Sequence, residues 1–209
     1  MSDKVTVLVA GSWGTALASV LAANHSEVYL WTRRPEQATE INEAHTNEHF
    51  LPGVSLPKNI IATTDMEKAV DGSKAVVIVA PSSGMRQVAR SLKSFWKEDM
   101  LCIHATKGFE TETKKRMSTV ISEELGCSEG QIVVLSGPSH AEEVVRLCPT
   151  TVVVASADEE RAAIAQGLFI NNDFRVYTNR DQLGVELAGA LKNIIALGAG
   201  LSDGLGFGD

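Results

Sequence analysis

Apolar runs rich in Val and Ile recur along the chain and alternate with segments of helical character. Seven runs are apolar nearly without interruption, which is typical of strands that are buried on both faces of a sheet. They cover residues 5–10, 27–31, 75–80, 100–105, 132–136, 150–156 and 174–178. Helical periodicity fills the intervals at residues 15–24, 36–45, 65–70, 83–96, 111–125 and 157–170. This alternation predicts a doubly wound, mostly parallel α/β sheet.

The pattern changes after residue 178. Residues 181–201 are apolar nearly all round, whereas a surface helix carries one polar face. The segment is long enough to cross a bilayer, but Glu186, Lys192 and Asn193 lie within it, and charged groups are costly at bilayer depth. We therefore predict a buried helix of a soluble protein, without membrane insertion. Because no clear domain follows this helix, we expect an N-terminal portion whose partner domain is missing.

The first apolar run leads into a glycine turn and a helix, the arrangement that binds a dinucleotide diphosphate. In the fingerprint G-x-G-x-x-G, the three positions are occupied by Val9, Gly11 and Gly14. The second glycine lets the diphosphate approach the backbone, and the third permits close helix packing. Amides at Ser12 and Trp13, at the start of the helix, can donate to the diphosphate. The alternative for these glycines alone is a tight structural turn.

Two features modify this dinucleotide hypothesis. Val9 is β-branched and disfavours a positive φ, so the exit from the strand must adapt and we expect weaker cofactor binding. Arg33 and Arg34 follow the second strand, where an acidic residue binds a ribose 2′-hydroxyl and an arginine accommodates a 2′-phosphate. The arginines favour NADP over NAD, unless they are only solvated surface residues.

Charge and cysteine content limit the function classes. The 26 acidic and 19 basic residues give a net charge of −7, which disfavours a broad nucleic-acid surface. Cys102, Cys127 and Cys148 have no metal-ligand spacing, and their odd number suits reduced, structural thiols in the cytoplasm. No export signal is visible at the N-terminus. The histidines of residues 45–49 favour a wet loop over a metal site, so we predict no bound metal.

Several motifs together resemble bacterial NAD(P)-dependent glycerol-3-phosphate dehydrogenases. They are GSWGTALA, LPGVSLP, ATKGFE, VVLSGPSHAEEV, PTTVVVAS and the segment from FRVYTNR to GLGFGD. The resemblance covers essentially the whole chain and departs from the family at Val9, where the family has glycine. It implies reduction of dihydroxyacetone phosphate to sn-glycerol 3-phosphate, a phospholipid precursor. It also implies a Rossmann-like dinucleotide-binding domain at residues 1–180, with the connecting helix and the start of an all-helical substrate domain at residues 181–209.

The resemblance also assigns roles to individual residues. Cofactor contacts beyond Gly11 and Gly14 are implied for Ser12, Trp13, Arg33, Arg34, Lys107 and Ala141. Substrate contacts are implied for Lys107, Gly137, Ser139 and Lys192. Lys192 is the implied catalytic acid/base, since a developing alkoxide needs a proton donor within hydrogen-bond reach.

Other interpretations of the same residues stay open at this level. Lys192 can reach water from an apolar helix or pair with Glu186, and Ser139 can be an ordinary helix N-cap. The whole chain can be an NADP-binding sensor without catalysis, or a related dehydrogenase for another small hydroxy acid or phosphate. Without a covering domain the last helix exposes an apolar face that promotes association, so we expect a homodimer and little or no turnover from these residues alone.

Overall fold

One eight-stranded sheet organises the chain. The computed structural model describes residues 4–25 and 27–207. Its strands are β1 (Val5–Leu8), β2 (Val28–Trp31), β3 (Ile60–Thr63), β4 (Ala75–Ile78), β5 (Leu101–His104), β6 (Ile132–Ser136), β7 (Thr150–Ala155) and β8 (Phe174–Asn179). The order across the sheet is β3-β2-β1-β4-β5-β6-β7-β8, and all pairs are parallel except β6 with β7. The predicted doubly wound, mostly parallel sheet is thereby confirmed.

Helices cover both faces of this sheet. They are α1 (Ser12–Asn24), α2 (Pro35–Glu43), α3 (Met66–Val70), α4 (Met85–Leu92), α5 (Met117–Leu125), α6 (Ala141–Val144), α7 (Glu159–Phe169) and α8 (Gln182–Gly204). All four residues of β1, β4 and β5 are buried, because apolar clusters pack against the sheet from each side. This burial explains the uninterrupted apolar runs of the sequence.

The strand order reverses between β1 and β4, which both carry helices on their carboxyl sides. Val7 of β1 is paired with Leu30 of β2 on one side and with Val77 of β4 on the other. In open α/β sheets, the crevice outside the carboxyl ends at such a reversal is the usual ligand site. The topology therefore predicts a ligand site among the residues that follow β1 and β4.

Two local elements differ from the sequence expectation. The edge strand β3 was not predicted, because its four residues alternate between buried and half-buried rather than forming a long apolar run. The helix predicted over residues 111–125 begins only at Met117. The preceding residues form a loop in which Lys114 has a φ of 59° and Phe109 is bridged to Arg116.

The last helix, α8, is mostly exposed, so the prediction of a buried helix was wrong for the described residues. Only Gln182 and Glu186 are buried in it. Its exposed apolar side chains include Leu183, Leu191, Ile194, Ile195, Leu197 and Leu201. Among the described residues it is also the one helix that is long and apolar enough, by length and composition, to cross a membrane.

Candidate active site

No side chain among the described residues caps the N-terminus of α1. Gly11 is the N-cap residue, and the first turn contains no acidic residue. The first amides of a helix have no intrahelical acceptor, and the helix dipole makes this end partly positive. A Cβ at Gly11 would meet nothing within 4 Å, so the backbone there is open to a ligand. Hence a diphosphate fits this turn.

Gly14 is the residue that lets α1 pack directly on the end of β1. A Cβ at Gly14 would lie 2.0 Å from the Val9 carbonyl oxygen and 3.2 Å from the Val9 carbonyl carbon. Val9 itself has a φ of 83°, in the region that favours glycine. We expected the exit from β1 to adapt to valine, and this expectation was wrong: the turn keeps the glycine conformation and the valine is strained.

Replacing Val9 by glycine should raise both stability and nucleotide affinity. A non-glycine residue at such a φ costs about 1–3 kcal/mol of stability, which glycine would recover. Glycine's greater conformational entropy in the unfolded chain offsets about 0.5–1 kcal/mol of that gain. Val9 also lines the cleft described below, so glycine widens the binding turn. We expect a rise in the free energy of unfolding of about 1 kcal/mol by urea denaturation and tighter binding by calorimetry.

Alanine at the same position is the matched control. Val9→Ala removes the branched side chain but retains a Cβ, so the unfavourable φ of this position remains. We expect this variant to be no more stable than the natural chain. Equal stabilisation by alanine and glycine would show that bulk, and not the backbone conformation, is the cause.

A cleft of about 680 Å³ opens at the carboxyl ends of β1 and β4, and we call it the switch-point cleft. Its size lies in the range of ordinary ligand sites. All eight residues predicted to bind the cofactor line it: Gly11, Ser12, Trp13, Gly14, Arg33, Arg34, Lys107 and Ala141. Of the predicted substrate residues, Lys107 and Ser139 line it, whereas Gly137 and Lys192 do not.

The arginine end of the switch-point cleft is open to water. Arg33 and Arg34 are both exposed and follow β2, and the Arg34 guanidinium lies 6.0 Å from the centre of the Phe50 ring. Phe50 also lines the cleft and was not predicted from the sequence. The two guanidinium groups and the ring thus offer charge and a flat apolar surface at the same end.

Two buried polar side chains hold the glycine turn in place, and neither was predicted from the sequence. Gln37 donates to the Ala10 carbonyl at 2.6 Å and accepts from the Thr32 hydroxyl at 2.5 Å. Asn47 donates to the same carbonyl at 3.1 Å and to the Thr15 hydroxyl at 2.8 Å. Asn47 is fully buried, so the expected wet loop at residues 45–49 was wrong at this position.

Lys107 and Ser139 converge on one carbonyl group. The Lys107 ammonium donates to the Gly137 carbonyl at 3.0 Å, and the Ser139 hydroxyl donates to it at 3.4 Å. Burial, and after it the charge of Lys192, lower the pKa of Lys107 below its ordinary value. His140, and not Ser139, is the N-cap residue of α6, so the alternative that Ser139 caps this helix was wrong.

Helix α8 approaches this group of residues through Gly189. A Cβ at Gly189 would lie 2.7 Å from the Ser136 hydroxyl oxygen and 3.8 Å from Cγ of Lys107. Lys192, one turn further along, is exposed. Glu186 pairs with Arg116 at 2.8 Å, so the alternative of a Lys192–Glu186 pair was wrong. The remaining alternative, in which Lys192 extends into water, agrees with its exposure.

The three cysteines differ in burial, and none of them forms a disulfide bond within the described residues. The three cysteines are free, and they range from buried Cys102 through half-buried Cys127 to exposed Cys148. Burial raises the pKa of Cys102. The prediction of buried structural thiols therefore fits Cys102 and fails at Cys148. Within residues 4–25 and 27–207, no three His, Cys, Asp or Glu side chains are grouped to hold a metal.

Comparison with known proteins places these features in a family context. Residues 4–162 match the profile of NAD-dependent glycerol-3-phosphate dehydrogenase N-terminus, and residues 181–209 match that of its C-terminus. Glycerol-3-phosphate dehydrogenase (NAD(P)+) of Pelotomaculum thermopropionicum is 55% identical over the whole chain, and that of Listeria monocytogenes serotype 4b is 51% identical over 99% of it. The chain spans about 60% of the length of these relatives.

A solved structure agrees with the sequence matches. Glycerol-3-phosphate dehydrogenase of Coxiella burnetii is similar over 100% of this chain and 63% of that chain, with a TM-score of 0.87 and 34% sequence identity.

Proposed function

The chain belongs to the NAD-dependent glycerol-3-phosphate dehydrogenase family, and from this premise we propose that it is the nucleotide-binding portion of an oxidoreductase. The reaction is hydride transfer between a nicotinamide nucleotide and dihydroxyacetone phosphate, which gives sn-glycerol 3-phosphate for phospholipid synthesis. One observation carries the proposal: the uncapped N-terminus of α1 opens into the switch-point cleft beside every residue that the sequence assigned to the cofactor.

The residues of this cleft fit NADP better than NAD. The amides of Ser12 and Trp13 receive the diphosphate at the positive end of α1. Arg33 and Arg34 follow β2 and are free of structural ion pairs within the described residues, so both guanidinium groups are available to a ribose 2′-phosphate. Proteins that recognise NAD carry an acidic residue at the end of this strand to bind the ribose 2′-hydroxyl, whereas this chain has the two arginines there.

Two lysines serve the substrate in this proposal. The bound nicotinamide nucleotide supplies the hydride. Lys192 donates the proton to the substrate oxygen, and its positive charge stabilises the developing alkoxide. Lys107 holds the substrate together with Gly137 and Ser139; the Lys107 ammonium and the Ser139 hydroxyl both donate to the Gly137 carbonyl. The burial of Lys107 favours direct contact with an anionic ligand over contact with water.

The organisation of the whole protein is part of the same proposal. Residues 1–180 form the dinucleotide-binding domain, and residues 181–209 are the connecting helix and the start of a helical substrate domain. Lys192 is exposed to water here, so we expect these residues alone to bind nucleotide with little or no turnover. We further propose a cytoplasmic homodimer that binds neither nucleic acid nor a membrane, in line with the net charge of −7 and the ionisable residues of α8.

Tryptophan fluorescence tests nucleotide binding by this chain. Trp13 and Trp31 both line the switch-point cleft, so energy transfer to NADPH should quench their emission when the nucleotide binds. We expect saturable quenching, with NADPH bound more tightly than NADH. A preference for NADH would contradict the assignment of the two arginines, and a lack of saturable quenching by either nucleotide would contradict the proposal.

Ser12→Asp is a variant that separates binding from folding. A carboxylate in the first helical turn is favourable for the helix, but it repels the diphosphate that we place there. We expect unchanged or higher thermal stability and an affinity for NADPH that is lower by about tenfold or more, equivalent to about 1.4 kcal/mol. Binding of equal strength in this variant would place the nucleotide elsewhere.

A further inference from the structure

Helix α8 is held to the sheet by polar contacts rather than by apolar packing. Its two buried residues are Gln182 and Glu186, whereas Leu183 and the leucine and isoleucine side chains from Leu191 onward are exposed. Gln182 donates to the Ile132 carbonyl at 2.9 Å and to the Ser118 hydroxyl at 3.2 Å. The position of the helix therefore depends on a few directional hydrogen bonds.

Glu186 makes the strongest of these contacts. Glu186 is only 4% exposed, and its carboxylate accepts from the Arg116 guanidinium at 2.8 Å and from the Ser118 amide at 2.9 Å. Nε2 of His104 lies 3.5 Å from the same carboxylate, and burial lowers the pKa of this histidine, which keeps it neutral near pH 7. These contacts fix the position of the Glu186 carboxylate relative to Arg116, Ser118 and His104.

Arg116 connects Glu186 to the loop that carries Lys107. The loop leaves β5, passes through Lys107 and returns to Arg116, where Phe109 and Arg116 are bridged and the Glu110 amide donates to the Lys115 carbonyl at 2.9 Å. Its middle is anchored by Arg86, which binds the Glu110 carboxylate at 2.7 Å and 2.8 Å. Lys107 and Arg116 thus belong to one braced unit.

We propose that Glu186 is a positioning residue, which fixes the turn of α8 carrying Lys192 relative to the loop carrying Lys107. Lys192 lies six residues beyond Glu186, about 9 Å of helix rise. Gly189, between them, is the point at which the helix meets Lys107. The inference rests on the proposed function, in which these two lysines act on one substrate.

The mutual influence of the two lysines provides the test. Because the charge of Lys192 lowers the pKa of Lys107, Lys192→Met should raise the Lys107 pKa, which NMR of isotopically labelled lysine side chains measures in this chain. In a Glu186→Gln background, we expect the rise caused by Lys192→Met to be lost or much reduced. If the Glu186→Gln variant does not fold, Arg116→Met removes the same contact by replacing the arginine that binds Glu186, and it should give the same result.

Glu129→Gln is the matched control. Glu129 is the other carboxylate bound to Arg116, but it lies outside α8. The Glu129→Gln variant should leave the coupling between Lys107 and Lys192 intact. Full coupling in the Glu186→Gln or Arg116→Met background would overturn the proposal, since the contact would then contribute only stability. NADPH titration of the same variants distinguishes failure of this inference from failure of the proposed function. Loss of the coupling between the two lysines with retained NADPH binding supports a positioning role for Glu186. Absence of NADPH binding in the natural chain would contradict the proposed function itself.

Discussion

Replacement of Gly14 by alanine should abolish nucleotide binding and strongly destabilise the chain. The new Cβ would lie 2.0 Å from the carbonyl oxygen of Val9, a backbone atom that no side-chain rotation can remove. Gly14 is buried, and Val9 is already held at a φ of 83°, so neither side of the contact has room to relax. Helix α1 would have to move away from β1, and the amides of Ser12 and Trp13 would move with it.

The expected size of the effect follows from overpacking. Overpacking of a well-packed site costs about 1–3 kcal/mol, occasionally more, and backbone contact places this variant at or above about 3 kcal/mol. For a chain of this length, that corresponds to a fall in Tm of roughly 6–12 °C, which calorimetry measures directly. NADPH binding, measured below the transition, should be undetectable.

Gly167→Ala is the control for a glycine in a helix. Gly167 lies in α7, and a Cβ there would meet nothing within 4 Å. Alanine at such a site gains about 0.5–1 kcal/mol from helix propensity, so this variant should be as stable as the natural chain or more stable. If Gly14→Ala behaved like Gly167→Ala, the close packing of α1 on β1 would be refuted.

Removal of both arginines after β2 should convert a preference for NADPH into indifference between the two nucleotides. Each hydrogen bond to a charged group contributes about 1.5–3 kcal/mol, so Arg33→Ala combined with Arg34→Ala should weaken NADPH binding by about 100-fold or more. NADH affinity should change little, because NAD lacks the 2′-phosphate. Competitive fluorescence titration with both nucleotides gives the ratio.

Arg175→Ala controls for the loss of general positive charge. Arg175 is an exposed arginine of β8, at the edge of the sheet far from β2 in the strand order, and it stacks on Tyr177. Its removal should leave both affinities unchanged. An equal loss of NADH and NADPH affinity in the double variant would instead mean that Arg33 and Arg34 act on the diphosphate.

The main sheet was predictable because burial on both faces leaves a direct trace in sequence. Strands such as β4 and β5 are buried at every position, and His104 is the one polar residue in them. The glycine turn was predictable for a different reason: at Gly14 the Val9 backbone leaves no room for a Cβ, so the close contact requires a glycine in the sequence. The edge strand β3 leaves a weaker trace, since only alternate residues are fully buried.

Long-range polar contacts explain most of what the sequence did not predict. Gln37 and Asn47 are separated from Ala10 by 27 and 37 residues, and nothing in their local sequence indicates that they bind its carbonyl. Glu186 is similar, because its partners Arg116 and Ser118 lie 70 and 68 residues away. Periodicity identifies which residues are apolar, but it does not identify the partner of a buried polar group.

The candidate site came from two sources. The fingerprint and the arginine pair followed from residue chemistry, whereas Lys107, Gly137, Ser139 and Lys192 came from the family resemblance. The first three are joined by hydrogen bonds to the Gly137 carbonyl, and Lys192 is near enough to influence the pKa of Lys107. Their roles in the reaction stay predictions.

A crystal structure of this chain with NADPH would show directly whether the α1 turn binds the diphosphate. We expect diphosphate oxygens at about 3 Å from the amides of Ser12 and Trp13, a normal hydrogen-bond distance, with the 2′-phosphate between Arg33 and Arg34. A nucleotide bound outside the switch-point cleft, or a turn at Gly11 that stays closed to the diphosphate under saturating NADPH, would contradict this expectation.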